Sequence, residues 1–199
     1  TGIVPNAIVT ADNDWLSVRE LALPGWYKQQ IIKLRAYKFC ETENFCNLGA
    51  DTILLKPIAA SDLIRGDFPI LYYTRHRFPD AHVRFERERI GYVASILRVE
   101  PTNALRYVDF INDLFTFNRE VVTYLNEYLE SMYGSDPYAT LLAGMDDKNT
   151  PRNRFGEWTL YSVFLLDYLR KDITLLNTRP TFLHQVHSKL GLRLYPFNT

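Results

Sequence analysis

The sequence predicts an α/β domain, because strand-like and helix-like patterns alternate along the chain. Its 199 residues are the length of one ordinary domain, and we therefore expect a single domain over residues 1–199. A hydrophobic fraction of 47% is sufficient for a packed core and excludes general disorder. Basic and acidic residues balance at 23 each, which argues against a protein that binds nucleic acid by neutralising phosphates.

In the first half of the chain, a helix and two strands are predicted. Pro24 opens a helix that extends to about Phe39, since proline is favoured in a first helical turn. Residues 45–55 are apolar on both faces, which predicts a central strand that is covered on both sides. Residues 69–73 predict a further strand.

The second half predicts a strand that leads directly into a helix. Residues 109–117 form the strand, Asn118 is the expected N-cap, and Gly134 ends the helix. Residues 157–170 predict a helix so apolar that it must be buried on most sides. Residues 172–177 predict a last strand.

The cysteines and the apolar runs predict a cytoplasmic location. Cys40 and Cys46 form neither a disulfide framework nor a metal-binding CxxC pair, so we expect buried free thiols in a reducing compartment. No apolar run approaches the length of a transmembrane helix, and no secretory signal pattern opens the chain. Peripheral contact with a membrane remains compatible with this composition.

A carboxylate near the end of the predicted central strand, Asp51 in LGADTILLKP, is a candidate ligand for a metal ion. Burying it is unfavourable unless it is paired or bound to a metal, and ligands of open α/β sheets bind beyond the carboxyl ends of the strands. A metal-bridged diphosphate would suit that position. The alternative is an aspartate that caps the following turn.

The helix GWYKQQIIKL carries a second candidate site. Gln29 and Gln30 lie four and three residues before Lys33, so the three side chains share one helix face. Two amides beside an ammonium can bind sugar hydroxyls and a phosphate together. A solvated helix face is the alternative.

Three motifs in order, GWYKQQIIKL, LGADTILLKP and FGEWTLYSVFLL, resemble a family of bacterial GT-A-type glycosyltransferase-like proteins. The family pattern is a GWxxQQxxKL helix, an LDAD strand end and an SEY helix start, and the match extends from about Asp12 to Glu157. The resemblance implies a GT-A-like (Rossmann-like) mixed sheet flanked by helices. It also implies metal-dependent transfer of a sugar from a nucleotide-diphosphate-sugar donor to a hydroxyl acceptor, which is a glycan, a lipid or a cell-surface polysaccharide.

The chain departs from that pattern at three places. Gly49 replaces the first aspartate of the strand end, so we expect weaker metal binding than at a two-carboxylate site. Gly156 replaces the serine before the helix-start glutamate. Only residues 1–24 precede the Gly-Trp helix, so we expect either a missing N-terminal part or an incomplete nucleotide pocket.

The resemblance implies the ligands of a metal ion. Asp51 would hold Mn²⁺ or Mg²⁺ on the diphosphate, assisted by a late histidine, His184 or His187. The three-residue spacing of these histidines is also compatible with a metal site of their own on a helix face. Partly buried, hydrogen-bonded histidines are the alternative.

Glu157 is the candidate catalytic residue. In the implied fold it faces the acceptor and serves as the general base, and desolvation by Phe155, Trp158 and Tyr161 would raise its pKa. Helix capping alone also explains an acid there, because the helix dipole favours it. The other candidates for substrate binding are Asp12, Asn112, Asp113 and Gly156.

Residues 75–98 contain six arginines and two histidines against three acids, a local excess that the overall neutrality hides. This stretch would suit an anionic acceptor, such as a phospholipid-linked or acidic glycan, or it forms an Arg/Glu-rich solvent face.

Two further function classes stay open. One is a non-catalytic glycan- or partner-binding domain with Gly49 as the lesion, and the other is a hydrolase that uses Asp51 and Glu157 as two carboxylates.

Overall fold

The structure is a computed structural model that describes residues 10–49, 57–73, 80–107, 110, 114–143 and 155–177. Its α-helices are α1 (Val18–Leu21), α2 (Gly25–Arg35), α3 (Asp80–Leu97), α4 (Arg119–Tyr133), α5 (Pro137–Leu142) and α6 (Glu157–Val163). Its strands are β1 (Asn44–Leu48), β2 (Ile64–Arg65), β3 (Phe68–Pro69), β4 (Leu71–Tyr73), β5 (Leu114–Asn118) and β6 (Leu175–Asn177). Short 3₁₀ turns occupy Asp12–Asp14, Ala36–Phe39, Ala60–Asp62 and Ala104–Arg106, and a π-helical turn, Phe164–Tyr168, continues α6.

The described strands form three two-stranded sheets. Strands β1 and β5 pair antiparallel, β2 and β3 pair antiparallel, and β4 and β6 pair parallel. The predicted helices at residues 24–39 and 157–170 and the strands at 69–73 and 172–177 are present with small shifts of their bounds. The described residues therefore confirm a mixed α/β class in which the sheets are small.

The sequence predicts that residues 45–55 form the strand that is covered on both faces. In the described residues that strand is β5 and not β1. All five residues of β5 are buried, because it contacts β3, β4 and α4 in addition to β1. In β1, Phe45 packs on Phe117 of β5 with ring centroids 5.4 Å apart, but Leu48 is 47% exposed and Cys46 is exposed. The prediction of buried thiols is also wrong, since Cys40 is only half-buried.

The junction between β5 and α4 follows the local chemistry of the sequence. The side chain of Asn118 accepts a hydrogen bond from the backbone N–H of Val121 at 3.1 Å, which satisfies one of the free N–H groups of the first turn. Gly134 ends α4 with a φ of 86°, a conformation that favours glycine. The apolar stripe of α4, which includes Leu125 and Leu129, is fully buried.

Helix α6 forms the centre of the hydrophobic core. Every residue from Phe155 to Asp167 is buried, and α6 packs against α2 and α3. A buried ion pair anchors α2, because the guanidinium of Arg35 donates to both carboxylate oxygens of Glu20 at 2.6 and 2.8 Å. Arg35 also donates to the carbonyl of Trp15 at 2.6 Å, which ties the segment before α1 to the end of α2.

Candidate functional site

A buried carboxylate lies where α6 begins. Glu157 is 1% exposed, and the Nζ of Lys33 on α2 lies 2.7 Å from its Oε1. The two partners differ in access to solvent, because the Lys33 side chain is 29% exposed. The ammonium also lies 4.4 Å from the ring centroid of Trp158, in cation–π geometry.

The helix geometry explains why these side chains meet. Gly156 is the extended N-cap of α6 and supplies no side-chain cap, so Glu157 occupies the first turn, where the helix dipole stabilises a carboxylate. Gln30 lies one helical turn before Lys33 on α2 and is 1% exposed. With its amide nitrogen turned toward Glu157, Gln30 donates to both carboxylate oxygens, at 3.2 Å to Oε1.

A second buried ion pair lies behind the N-cap of α6. Arg89 and Glu86 of α3 are 2% and 1% exposed, with Nη1 and Oε2 separated by 2.8 Å. The Cδ of Arg89 lies 3.4 Å from the position that a Cβ on Gly156 would take. The site therefore combines two cations, two carboxylates and one amide, nearly all removed from water.

The environment of Glu157 determines its proton affinity. Burial raises the pKa of Glu157, and the ammonium of Lys33 opposes that rise through its charge and its hydrogen bond. The positive charge of Arg89 also lowers the pKa, but the net direction is upward. The sequence predicts this direction, and the predicted neighbours Phe155, Trp158 and Tyr161 are indeed buried.

Polar atoms on the first turns of α6 are buried without hydrogen-bond partners in the described part of the chain. They are the Nε1 of Trp158, the Oγ1 of Thr159 and the Oγ of Ser162. Such groups are rare in folded proteins, because each forfeits the hydrogen bonds that it makes in water. They mark the first turns of α6 as the least satisfied part of the core.

Sequence reasoning missed Arg89 and Glu86, which lie in the arginine-rich stretch. The expectation of an Arg/Glu-rich solvent face is wrong for these two residues. A signal was present, because Glu86, Arg89 and Ile90 are spaced three and four apart and continue into Val93 and Leu97, all of them buried. The helical period of that apolar stripe includes the ion pair.

Of three other predicted site residues, two lie at the surface, and the third, Gly156, directly precedes Glu157 in the chain. Gln29 is exposed, because it precedes Gln30 by one residue and points away from the core. Asp12 is at the surface and pairs with Lys28 at 3.7 Å. Gly156 is buried against Arg89 and Thr159, so it shapes the start of α6 and offers no exposed surface to a substrate.

The predicted metal ligands Asp51, His184 and His187 lie outside the described residues, as do Asn112 and Asp113. Within the described ranges, no group of three or more His, Cys, Asp or Glu side chains is arranged to hold a metal ion. The described residues alone therefore do not provide a metal centre, and we derive no catalytic step through a metal.

The fold and the site define a mixed α/β domain with a buried, charge-paired carboxylate at the start of its central helix. The chain belongs to a family of unknown function, DUF6492, which it matches over residues 3–188. No curated protein and no solved structure matches the chain. Among the described residues, no helix has the length and apolar character needed to cross a membrane.

Proposed function

We propose that this protein is a GT-A-like glycosyltransferase that moves a sugar from a nucleotide-diphosphate donor to a hydroxyl acceptor, with Glu157 as the general base. The observation that carries the proposal is the buried Glu157 carboxylate, which Lys33 and Gln30 hold in place. Gln30 and Lys33 belong to the first of the three motifs that carry the family resemblance, and Glu157 belongs to the third. The acceptor is a glycan or a lipid-linked sugar.

The chemistry of the site supports a base. A carboxylate with its ordinary pKa is a weak base near neutral pH. Burial raises the pKa of Glu157 and so makes this carboxylate a stronger base. Gln30 fixes the orientation of the carboxylate, because its amide donates to both oxygens. Lys33, whose side chain is partly exposed, is the residue that would contact a phosphate of the donor.

The proposed cofactor is Mn²⁺ or Mg²⁺, held by Asp51 and one of His184 or His187. When bound, the metal would neutralise charge on the leaving diphosphate. The proposed location is the cytoplasm, where the two free thiols Cys40 and Cys46 stay reduced.

A non-catalytic glycan- or partner-binding domain is the second candidate. It is favoured by the close pairing of Glu157 with Lys33, since a purely structural ion pair would show the same satisfied geometry. It is also favoured by Gly49, which lacks the carboxylate that the family pattern has there. The two candidates differ in whether a bound donor is turned over.

Two experiments test the transferase. Calorimetric titration of UDP and GDP, with and without Mn²⁺, should show metal-dependent binding of one nucleotide. Turnover of the matching nucleotide sugars should fall by about 10²–10⁴-fold in E157Q while nucleotide binding is retained. The matched control is E120Q, since Glu120 is also an acid in the first turn of a helix but is exposed.

The results of these experiments decide between the candidates. Metal-independent binding, or no binding, would contradict the transferase, and full turnover in E157Q would remove Glu157 from the role of base. Glycan binding without turnover would favour the binding domain. Release of free sugar without an acceptor, unaffected by a chelator, would favour the hydrolase.

A further inference from the structure

We propose that Lys33 acts as an anion-operated switch: a phosphate or sulfate group captures its ammonium from Glu157, and the released carboxylate takes up a proton. The proposal rests on the donor-phosphate role of Lys33 proposed above and adds a coupling that this role does not require. It assigns to the site a ligand class, a tetrahedral oxyanion, and a proton that is bound together with that ligand.

The first argument is the unequal exposure of the two partners. Lys33 is 29% exposed and Glu157 is 1% exposed, although their charged atoms are only 2.7 Å apart. An anion that arrives from solvent can therefore approach the lysine side chain but not the carboxylate. The lysine has a flexible four-carbon stem and three donors, so it can turn toward the anion, whereas Glu157 is fixed in the first turn of α6.

The second argument is what remains around Glu157 when Lys33 leaves. From α2 it keeps the neutral amide of Gln30, and from its own helix it keeps the backbone N–H of Glu157 as a hydrogen-bond donor. From α3 it faces Arg89, whose guanidinium is already engaged by the carboxylate of Glu86 at 2.8 Å. The carboxylate then lies in a buried position with its nearest positive charge removed, and such a group binds a proton.

The coupling has a consequence for the proposed reaction. In the resting protein the ion pair with Lys33 weakens Glu157 as a base, and donor binding strengthens it by removing the ammonium. In the proposed step the acceptor hydroxyl takes the place beside the carboxylate that the ammonium has left, and it gives the carboxylate its proton. Its oxygen forms a bond to the anomeric carbon while the bond from that carbon to the diphosphate oxygen breaks. The electron pair leaves with the diphosphate. Without an acceptor, the proton comes from the buffer.

The test uses inorganic sulfate, a dianion that does not itself titrate near neutral pH. Sulfate is titrated calorimetrically at pH 7 into the full chain, in two buffers with different ionisation enthalpies. We expect wild-type protein to take up a measurable fraction of a proton, at most about one, for each sulfate bound. E157Q should bind sulfate at least as tightly as wild type with no proton uptake, because Lys33 no longer has to leave a carboxylate.

Two lysine variants complete the test. K33M should bind sulfate about tenfold or more weakly, since a charge-assisted contact is lost. K28M is the matched control, because Lys28 lies on the same helix, is 25% exposed and pairs with Asp12 at 3.7 Å. It should keep both the sulfate affinity and the proton uptake of the wild type. If K33M does not fold, E157Q and K28M still decide the matter.

The switch is overturned if wild-type protein does not bind sulfate, binds it without proton uptake, or retains the uptake in E157Q. Its failure is distinguishable from failure of the proposed function. Proton uptake in a protein with no sugar transfer would contradict only the transferase, and sugar transfer without sulfate-linked uptake would contradict only the switch.

Discussion

Replacing Lys33 by methionine should destabilise the fold in a pH-dependent way. The substitution keeps the length of the stem that packs near Trp158 but removes the ammonium from Glu157. The carboxylate cannot move into solvent, since it is 1% exposed. Its remaining way to avoid an uncompensated buried charge is to bind a proton.

The size of the effect follows from the geometry of the pair. Two unit charges 2.7 Å apart at an effective dielectric constant of about 20 attract by about 6 kcal/mol. Lys33 is partly hydrated in the folded protein, and its loss returns part of the desolvation penalty, so we expect K33M to lose about 3 kcal/mol at pH 8. The same substitution should raise the pKa of Glu157 further, because the ammonium that opposes the rise is gone.

The pH dependence has a defined sign. The folded pKa of Glu157 is raised above that of the unfolded chain, so the protonated folded form is favoured. The stability that this preference contributes is fully present below the unfolded pKa and is lost as the pH rises through the folded pKa. Because the folded pKa of Glu157 is higher in K33M, this variant continues to lose stability up to a higher pH than the wild type. Near pH 4.5 the difference in free energy of unfolding between the two proteins should shrink to below about 1 kcal/mol.

Urea unfolding of the wild type and four variants at several pH values measures this effect. E157Q should lie within about 1 kcal/mol of wild type at pH 8, and the K33M/E157Q double variant should recover most of the stability that K33M loses. K28M, which removes a surface ion pair, should lose no more than about 0.5 kcal/mol. A pH-independent loss in K33M, or a double variant as unstable as K33M alone, would refute the reasoning.

Three further predictions concern the helix caps and a thiol. Asn118→Ala should lower the free energy of unfolding by about 1–2 kcal/mol in thermal or urea denaturation, because it removes the cap on the Val121 N–H. Asn118→Ser should retain most of the wild-type stability, because serine can also cap a helix. Gly156→Ser should raise the free energy of unfolding by about 0.3 kcal/mol, because the serine side chain adds an N-cap to α6. The new Cβ would meet Arg89 at an ordinary contact distance of 3.4 Å. A loss of stability above about 1 kcal/mol would show that Arg89 cannot adjust to it. Cys46 is exposed as a residue, but desolvation of its thiol still raises the pKa of that thiol. With the other cysteine replaced by serine, alkylation by iodoacetamide should therefore be slow at pH 7 and accelerate at a higher pH than for free cysteine; rapid alkylation at pH 7, measured by mass spectrometry, would contradict this.

The parts of the fold that the sequence predicts well depend on local chemistry. An asparagine N-cap and a glycine with positive φ bound α4, and proline opens α2, because these residues act within one turn of themselves. The burial of α6 follows from its unbroken apolar composition. Which strand is covered on both faces does not follow in this way. The stretches that contain β1 and β5 are both rich in apolar residues, and the packing of β3 and β4 on β5 decides between them.

The same distinction applies to the site. Helical spacing places Gln30 and Lys33 on one side of α2, but it cannot show that a residue 124 positions later lies against them. The family resemblance implies only that the two motifs serve one substrate site, and it does not predict a direct contact between Lys33 and Glu157. Arg89 escaped attention because a local excess of arginine resembles a solvated surface, whereas its position in the apolar stripe of α3 indicated burial.

The π-helical turn at Phe164–Tyr168 fixes the number of residues between two buried acids. Before it, Glu157 faces Lys33 of α2. Within it, Asp167 accepts hydrogen bonds from the backbone N–H groups of Asn103 and Ala104, at 2.7 and 3.0 Å. Deleting one residue from this turn would rotate one acid relative to the other by about 100°. Related sequences should therefore carry neither insertions nor deletions in this segment, and their differences in length should fall in the loops that flank the core.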